Sequence, residues 1–244
     1  MSPADLLALE DVSARAWPAL HMARLGGWRL NASTGHTGRA NTCWALEAPD
    51  RPLDEALVWV ESWYAGFGLP TKFKTVDGAP HAGDVEAFLR AGGFSPNTET
   101  KVMVGPVGGA NDGVLLEDSP GEVFQSVLFE TLYRDMADAE ERLATLRRIA
   151  QPVRFARIEA EGRAVAVGAV AVDGEWAGVS VMRTLPDYRR QGLAARIVSA
   201  LLGFADERGA RRSYLQVEAE NDTAVALYET LGFTTAYRYR YWAR

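Results

Sequence analysis

Two hydrophobic rhythms alternate along this chain. In the first hundred residues Ala56, Val60, Trp63 and Phe67 fall one helical turn apart and predict a helix. Strands are expected before it at 27–30 and 39–46, flanking a turn at 33–38, and after it at 71–76. Farther on, Val123, Phe124, Val127, Leu128 and Leu132 keep helical spacing, and a second helix is expected over 140–150, stopped by Pro152. Extended segments follow at 154–160, 163–172 and 175–184, separated by Glu161-Gly162 and Asp173-Gly174, pairs suited to tight antiparallel turns. A long helix at 192–208, with Leu193, Ile197, Val198, Leu201 and Ala205 on one side, leads to a strand at 213–218. A short helix around Ala224 and a last strand at 237–242 complete the chain. The second half therefore reads βααβββαβαβ, and its helical crossovers imply parallel neighbours in a mixed sheet.

The stretch 105–113 packs four glycines and a proline into nine residues, a density hard to place inside any element, and reads as a linker. It divides the chain into expected domains at 1–104 and 114–244. Each half closes with a short amphipathic helix stopped by Gly-Phe and followed by an extended segment. Phe94 and Phe233 end these phrases 139 positions apart, which suggests an internal repeat. The first half is then a shortened version of the same order, lacking some opening elements.

Composition narrows the class. Apolar residues are 48% and charged residues 24% of the 244, a globular balance. The longest apolar run, 164–172, is far short of the roughly 20 residues a membrane-spanning helix needs, so no membrane partner is expected. The first twenty residues carry acids early and lack the basic and apolar regions of a secretory signal, making the cytoplasm the expected address. A lone Cys43 and three scattered histidines offer no metal-ligand spacing. Net charge is −6, with acids outnumbering bases in both halves, so no nucleic-acid partner is expected either.

Chemistry concentrates at Pro186-Asp-Tyr-Arg-Arg-Gln-Gly-Leu-Ala194, between a β-branched strand and the long helix. The amides that begin a helix are unpaired, the dipole points its positive end at them, and Gly192 lets a ligand approach the main chain. Arg189 and Arg190 add charge suited to a pyrophosphate. Taken alone, the same string also fits a surface turn that caps a helix. Asn221 and the helix bearing Tyr228 follow in order and turn it into a constellation.

On these residues the segment 114–244 resembles the GNAT superfamily, the acyl-CoA-dependent N-acetyltransferases. Arg189, Gly192 and Ala194 match its R-x-x-G-x-A signature, and Asn221, Ala224, Leu227, Tyr228, Gly232 and Phe233 match the phrase N-x-x-A-x-x-L-Y-x-x-x-G-F. The resemblance implies an α/β fold of two tandem GNAT-like domains, each a mixed, mostly antiparallel twisted sheet flanked by helices. It also implies acetyl-CoA as cosubstrate and an amine as acceptor. Met182, Arg183 and Thr184 are then expected along the pantetheine arm, on a strand that splays from its neighbour. The loop from Arg189 through Arg190, Gln191, Gly192 and Leu193 to Ala194 is expected to hold the pyrophosphate. Asn221 is expected near the thiol end, and Tyr228 as proton donor to the leaving thiolate, whose intrinsic pKa is about 8.5.

One position departs from the pattern. In the ribosomal-protein N-terminal acetyltransferases, which this half resembles most, a glutamate on the strand before the asparagine acts as base; Gln216 stands at that place. An amide cannot accept a proton. Glu218 and Glu220 lie close in sequence, and the base stays unassigned. Gln216 also supports an alternative, a non-catalytic acyl-CoA-binding or sensor protein.

The first half resembles a degenerate GNAT repeat. The segment 48–53 before its helix has two prolines and no R-x-x-G-x-A, and Leu89 stands where the second half has Tyr228. Trp59, Trp63, Tyr64 and Phe67 either pack a core or line a cleft, and residues 35–38 read as a hairpin turn or an anion nest. Asp135, Asp138, Glu140 and Glu141, at the junction of the two opening helices, suggest a cationic small amine as acceptor, with a peptide N-terminus as the other candidate. They equally suit an ordinary helix start, where acids complement the dipole.

Overall fold

In the computed structural model, residues 1–132 and 135–244 are described. The chain divides into two compact units. The first comprises Met1–Val102, Val217–Asn221 and Thr235–Arg244, and the second Met103–Gln216 and Asp222–Thr234.

The first unit opens with α1 (Pro3–Arg15), which sequence patterning does not anticipate. Its start is written locally: Ser2 and Asp5 form a reciprocal capping box, with proline at the first helical position. There follow β1 (His21–Leu25), also unanticipated, then β2 (Trp28–Ala32), β3 (Cys43–Ala45), α2 (Leu53–Ala65), β4 (Phe73–Val76), α3 (Ala82–Ala91) and β5 (Ser95–Gly105) as far as Val102. Antiparallel ladders join β1 to β2 and β2 to β3, while α2 carries the chain over to β4, which lies parallel to β3. The chain's last strand, β11 (Thr234–Ala243), completes this unit by pairing antiparallel with β4, from Tyr239↔Val76 to Trp242↔Phe73. This revises the expected boundaries of 1–104 and 114–244. The final strand buries Trp242 among Phe73, Val85, Leu89 and Phe94, and the indole N–H donates to Thr75 Oγ1 at 2.8 Å.

The second unit holds β6 (Leu115–Glu117), α4 (Glu122–Thr131), α5 (Met136–Arg147), β7 (Val153–Ala160), β8 (Arg163–Asp173), β9 (Trp176–Thr184), α6 (Leu193–Glu207), β10 (Arg212–Glu218) as far as Gln216, and α7 (Asp222–Thr230). The expected element order is present. The strands lie in the order β6-β7-β8-β9-β10, antiparallel except for β9 and β10, which run parallel across the α6 crossover. Residues 164–172 of β8 are all buried because α4 and α6 both pack against this strand, which explains a continuous apolar run in place of alternation. Ile197, Val198, Leu201, Leu202 and Ala205 supply the buried side of α6.

The glycine-rich stretch 105–113 proves to be a strap along α6. The Gly108 N–H donates to Leu202 O at 3.1 Å, Ser199 Oγ to Ala110 O at 2.9 Å, and Arg196 Nη2 to Asp112 O at 2.6 Å. A Cβ on Gly109 would lie 2.4 Å from Ser199 O, and one on Gly203 would lie 2.6 Å from Gly109 O. These glycines permit close backbone approach, a use of the residue that composition cannot separate from flexibility.

Candidate active site

The site grows from an irregularity in β9. Its register with β8 shifts between Ala169↔Ser180 and Val167↔Arg183, so Val181 and Met182 together face Gly168. This is a bulge, and Val181 adopts φ +53°, rare for a β-branched residue and a store of local strain. Gly168 makes room for it: a Cβ there would lie 2.5 Å from Met182 Sδ and 2.7 Å from Ile197 Cγ2. The parallel pairing with β10 covers Trp176–Val179 of β9. Beyond it, residues 180–184 are half-buried. Met182, Arg183 and Thr184 lie on this half-buried strand end, past the pairing with β10.

The chain next forms a 3-10 turn, Pro186–Tyr188, held by Tyr188 OH donating to Glu161 at 2.9 Å. Arg189 Nε donates to Thr184 O at 3.2 Å, while Arg190 and Gly192 take left-handed conformations at φ +65° and +74°. Gly192 is the N-cap of α6 and has no side chain to bond the helix amides; the first backbone bond into the helix is Arg196 N–H to Gly192 O at 3.2 Å. Among the described residues, no protein acceptor takes the N–H groups of residues 190–195. The first turn of α6 carries no acid, and a Cβ at Gly192 would meet nothing within 4 Å. Five or six donors, a helix dipole and open space are the components of an anion cradle. Of the residues expected here, Arg189, Arg190, Gln191 and Gly192 are exposed and Ala194 half-buried. Leu193 turns its side chain into the core, so only its amide is available.

Tyr228 sits on α7, nearly buried, its ring 6.0 Å from that of Phe233. Burial pushes its hydroxyl up to about 12, with the Arg183 guanidinium pulling the other way. Tyr228 therefore stays protonated throughout the physiological range and beside a positive charge. Its helix ends in a tight cap, with Gly232 at φ +84° and the Phe233 N–H donating to Tyr228 O at 3.0 Å. Asn221 is exposed immediately before α7, its N–H donating to Glu218 O at 3.0 Å. Gln216 on β10 is half-buried, whereas Glu218 and Glu220 are exposed.

The acids expected to shape an acceptor site are largely engaged elsewhere. Asp135 caps α5, accepting from the Asp138 N–H at 3.0 Å, Asp138 pairs with Arg142 at 2.8 Å, and Glu141 is buried. Only Glu140 is exposed without such a contact among the described residues. Val181 of the bulge packs, half-buried, with Phe129 and Leu132 against Leu128, Ala139 and Leu143. This wall and the bulge escaped sequence reasoning. Gly168, alone inside an apolar strand, was the available signal.

In the first unit, Tyr64 is a core residue bonded to Asn31 O at 3.0 Å, and Trp59 and Trp63 pack against the same core. Phe67 stacks on His21 with ring centroids 4.7 Å apart. The Gly35 N–H of the candidate nest is already taken within the turn. Asn41 Oδ1 accepts from the N–H groups of Ser33 and Gly35 at 2.8 and 2.9 Å, making this an internally bonded hairpin turn. Among the described residues no group of three His, Cys, Asp or Glu side chains is placed to hold a metal ion, and no helix is long and apolar enough to cross a membrane.

Comparison with known proteins agrees with this geometry. Residues 3–242 match the family described as "Probable histone acetyltransferase Rv0428c C-terminal". The chain is 30% identical over 250 residues to "Probable histone acetyltransferase Rv0428c" of Mycobacterium tuberculosis, covering 98% of this chain and 74% of that protein. It is 25% identical over 245 residues to "Uncharacterized N-acetyltransferase YobR" of Bacillus subtilis, covering 97% and 98%. A solved GCN5-related N-acetyltransferase from Kribbella flavida shares the fold with a TM-score of 0.71 at 18% identity, covering 100% of this chain and 96% of that one. The chain belongs to this family, and through it to the GNAT superfamily: it is an acyltransferase with acetyl-CoA as its cosubstrate. The alternative of a sensor without activity falls away.

Proposed function

We propose that the second unit transfers an acetyl group from acetyl-CoA to a primary amine by direct attack on the thioester. The acceptor is a cationic small molecule or a peptide N-terminus. The observation that carries the reading is the open N-terminus of α6, whose amides from Arg190 to Ala194 suit the pyrophosphate, with Arg189 and Arg190 adding charge. Met182, Arg183 and Thr184 then run beside the pantetheine arm, main chain to main chain, and strand amides near the bulge polarise the thioester carbonyl.

In this reading the neutral amine forms the new N–C bond, the C–S bond breaks toward sulfur, and the proton lost by nitrogen balances the thiolate. Tyr228, held near 12, is a poor acid against a thiol of pKa about 8.5, so its part is chiefly to donate a hydrogen bond as charge gathers on sulfur. Gln216 cannot take the amine's proton; a water chain, or a substrate that arrives neutral, serves in place of a side-chain base.

The first unit is a degenerate repeat of the second with no second transfer site, and the cytoplasm is the working compartment. The paired caps support the repeat. Phe94 N–H donates to Leu89 O at 3.0 Å as Phe233 N–H does to Tyr228 O, with Gly93 and Gly232 at φ +83° and +84°. Release of free CoA from acetyl-CoA across a panel of amines tests the transfer reading. Amine-dependent release with acetylated product supports it, and release independent of every amine contradicts it.

A further inference from the structure

The turn between β7 and β8 carries a residue that the turn itself does not favour. Ala160 pairs with Arg163 across the two-residue connection Glu161-Gly162, and both central residues take left-handed backbone, φ +53° at Glu161 and +76° at Gly162. Turns of this kind favour glycine, asparagine or aspartate at the first position, where a side chain is short or absent. Glutamate has no such local advantage. Its length has another use, because the carboxylate reaches Tyr188, whose hydroxyl donates to Glu161 Oε2 at 2.9 Å.

That bond fastens the loop ahead of α6. Among the described residues, the other hydrogen bonds of residues 186–191 all close on 184–187: the Tyr188 N–H donates to Leu185 O at 3.0 Å, the Arg189 N–H to Pro186 O at 3.2 Å, Arg189 Nε to Thr184 O at 3.2 Å and Gln191 Nε2 to Asp187 O at 3.3 Å. They curl the loop on the end of β9 and tie it to no element beyond. Yet Arg190 holds a left-handed conformation in the same loop, which persists only where the surroundings fix it. Resting on the proposed pyrophosphate cradle, we infer that Glu161 and Tyr188 are positioning residues for acetyl-CoA: their hydrogen bond anchors the loop to the β7–β8 turn and presets the course of the amides from Arg190 to Ala194. Donors already in place cost less to order on binding than donors the ligand must gather. Charge alone argues the other way, since a carboxylate opposes a pyrophosphate. Removing Glu161 therefore weakens binding if it is a tether and strengthens it if it is only a surface acid.

The test measures acetyl-CoA affinity by calorimetry, and the unfolding midpoint, in variants of the full chain. Glu161→Asn supplies a residue the turn prefers but withdraws the reach, so affinity should fall about fivefold while the midpoint holds or rises. Tyr188→Phe should show the same loss, and the two changes together no more than either alone. Glu161→Gln keeps an acceptor oxygen at the same reach and should stay within about twofold of the parent. In steady state the loss should appear in the acetyl-CoA KM with kcat little changed. Parent or tighter affinity in Glu161→Asn, while Gly192→Asn weakens binding, overturns the tether, as do additive losses in the double variant or a midpoint that falls with the affinity. Parent affinity in both Glu161→Asn and Gly192→Asn overturns the cradle on which the tether rests.

Discussion

Both units place a helix after a strand that pairs in parallel with the next one, yet the two helix starts differ in chemistry. In the second unit α6 begins at Gly192 with open amides and no acid in its first turn. In the first unit α2 begins after Pro52 with Asp54 and Glu55 in its first turn, charges that satisfy the dipole and repel phosphate. The preceding loop is closed as well. The Gly27 N–H donates to Ala48 O at 2.8 Å, and a Cβ on Gly26 would lie 2.4 Å from Asp50 N. The strands differ in the same sense. Residues 180–184 of β9 are half-buried, whereas Trp44 on β3 and Lys74 on β4 are sealed, with Lys74 Nζ 3.8 Å from the Trp44 ring centroid. A strand–helix–strand frame becomes a site only where its donors are left unspent.

The sealed cluster gives the largest expected effect. Lys74 pairs with Glu10, both fully buried, and Tyr237 OH donates to the same carboxylate at 2.8 Å. Glu10→Ala leaves a buried cation without its counterion and should destabilise the first unit by ~3–5 kcal/mol, read by urea unfolding. A change below 1 kcal/mol would show that this cluster is not what closes the unit. The same lysine sets a pH dependence. Burial lowers Lys74 from its ordinary 10.5 to about 8, so between these values the unfolded chain holds more protons and stability should rise from pH 8 toward 10. Above 10 the buried hydroxyls of Tyr64, Tyr239 and Tyr241, all raised by burial, reverse the slope. Unfolding midpoints that are flat or falling between pH 8 and 10 contradict this.

Next in size is Tyr228→Phe, which keeps the ring against Phe233 and removes the donor. We expect kcat to fall about 100-fold, ~3 kcal/mol of barrier, with acetyl-CoA affinity little changed. Parent-like kcat under rate-limiting chemistry would reduce Tyr228 to a wall of the thiol pocket, equivalent to buried Leu89 in the first unit.

How far these contrasts could be read from the chain alone depends on where the information lies. Signals local in sequence were legible: the turns Glu161-Gly162 and Asp173-Gly174, the apolar stripe of α6, and the string from Arg189 to Ala194. Partners distant in sequence were not. The return of β11 to β4 and the packing of 105–113 on α6 each depend on tertiary contacts that periodicity does not encode. α1 escaped because its buried side mixes Leu6, Leu9 and Val12 with Glu10 and Ser13, which blurs the hydrophobic stripe. The bulge at Val181 has no composition signal beyond Gly168.

A smaller effect is expected at Gly192. Gly192→Asn tolerates the left-handed conformation better than other side chains, so the loop should keep its course while the added atoms occupy the open space. Acetyl-CoA affinity should fall about tenfold, ~1.4 kcal/mol, with little change in unfolding midpoint. Undiminished affinity would move the pyrophosphate away from α6.

The contrast between the two helix starts is tested most directly by titrating acetyl-CoA into the intact chain in a calorimeter. One molecule should bind per chain, with the same stoichiometry when Asp54 and Glu55 are changed to Asn and Gln. Two molecules per chain, or one whose affinity follows Asp54 and Glu55 and ignores Gly192, would contradict it.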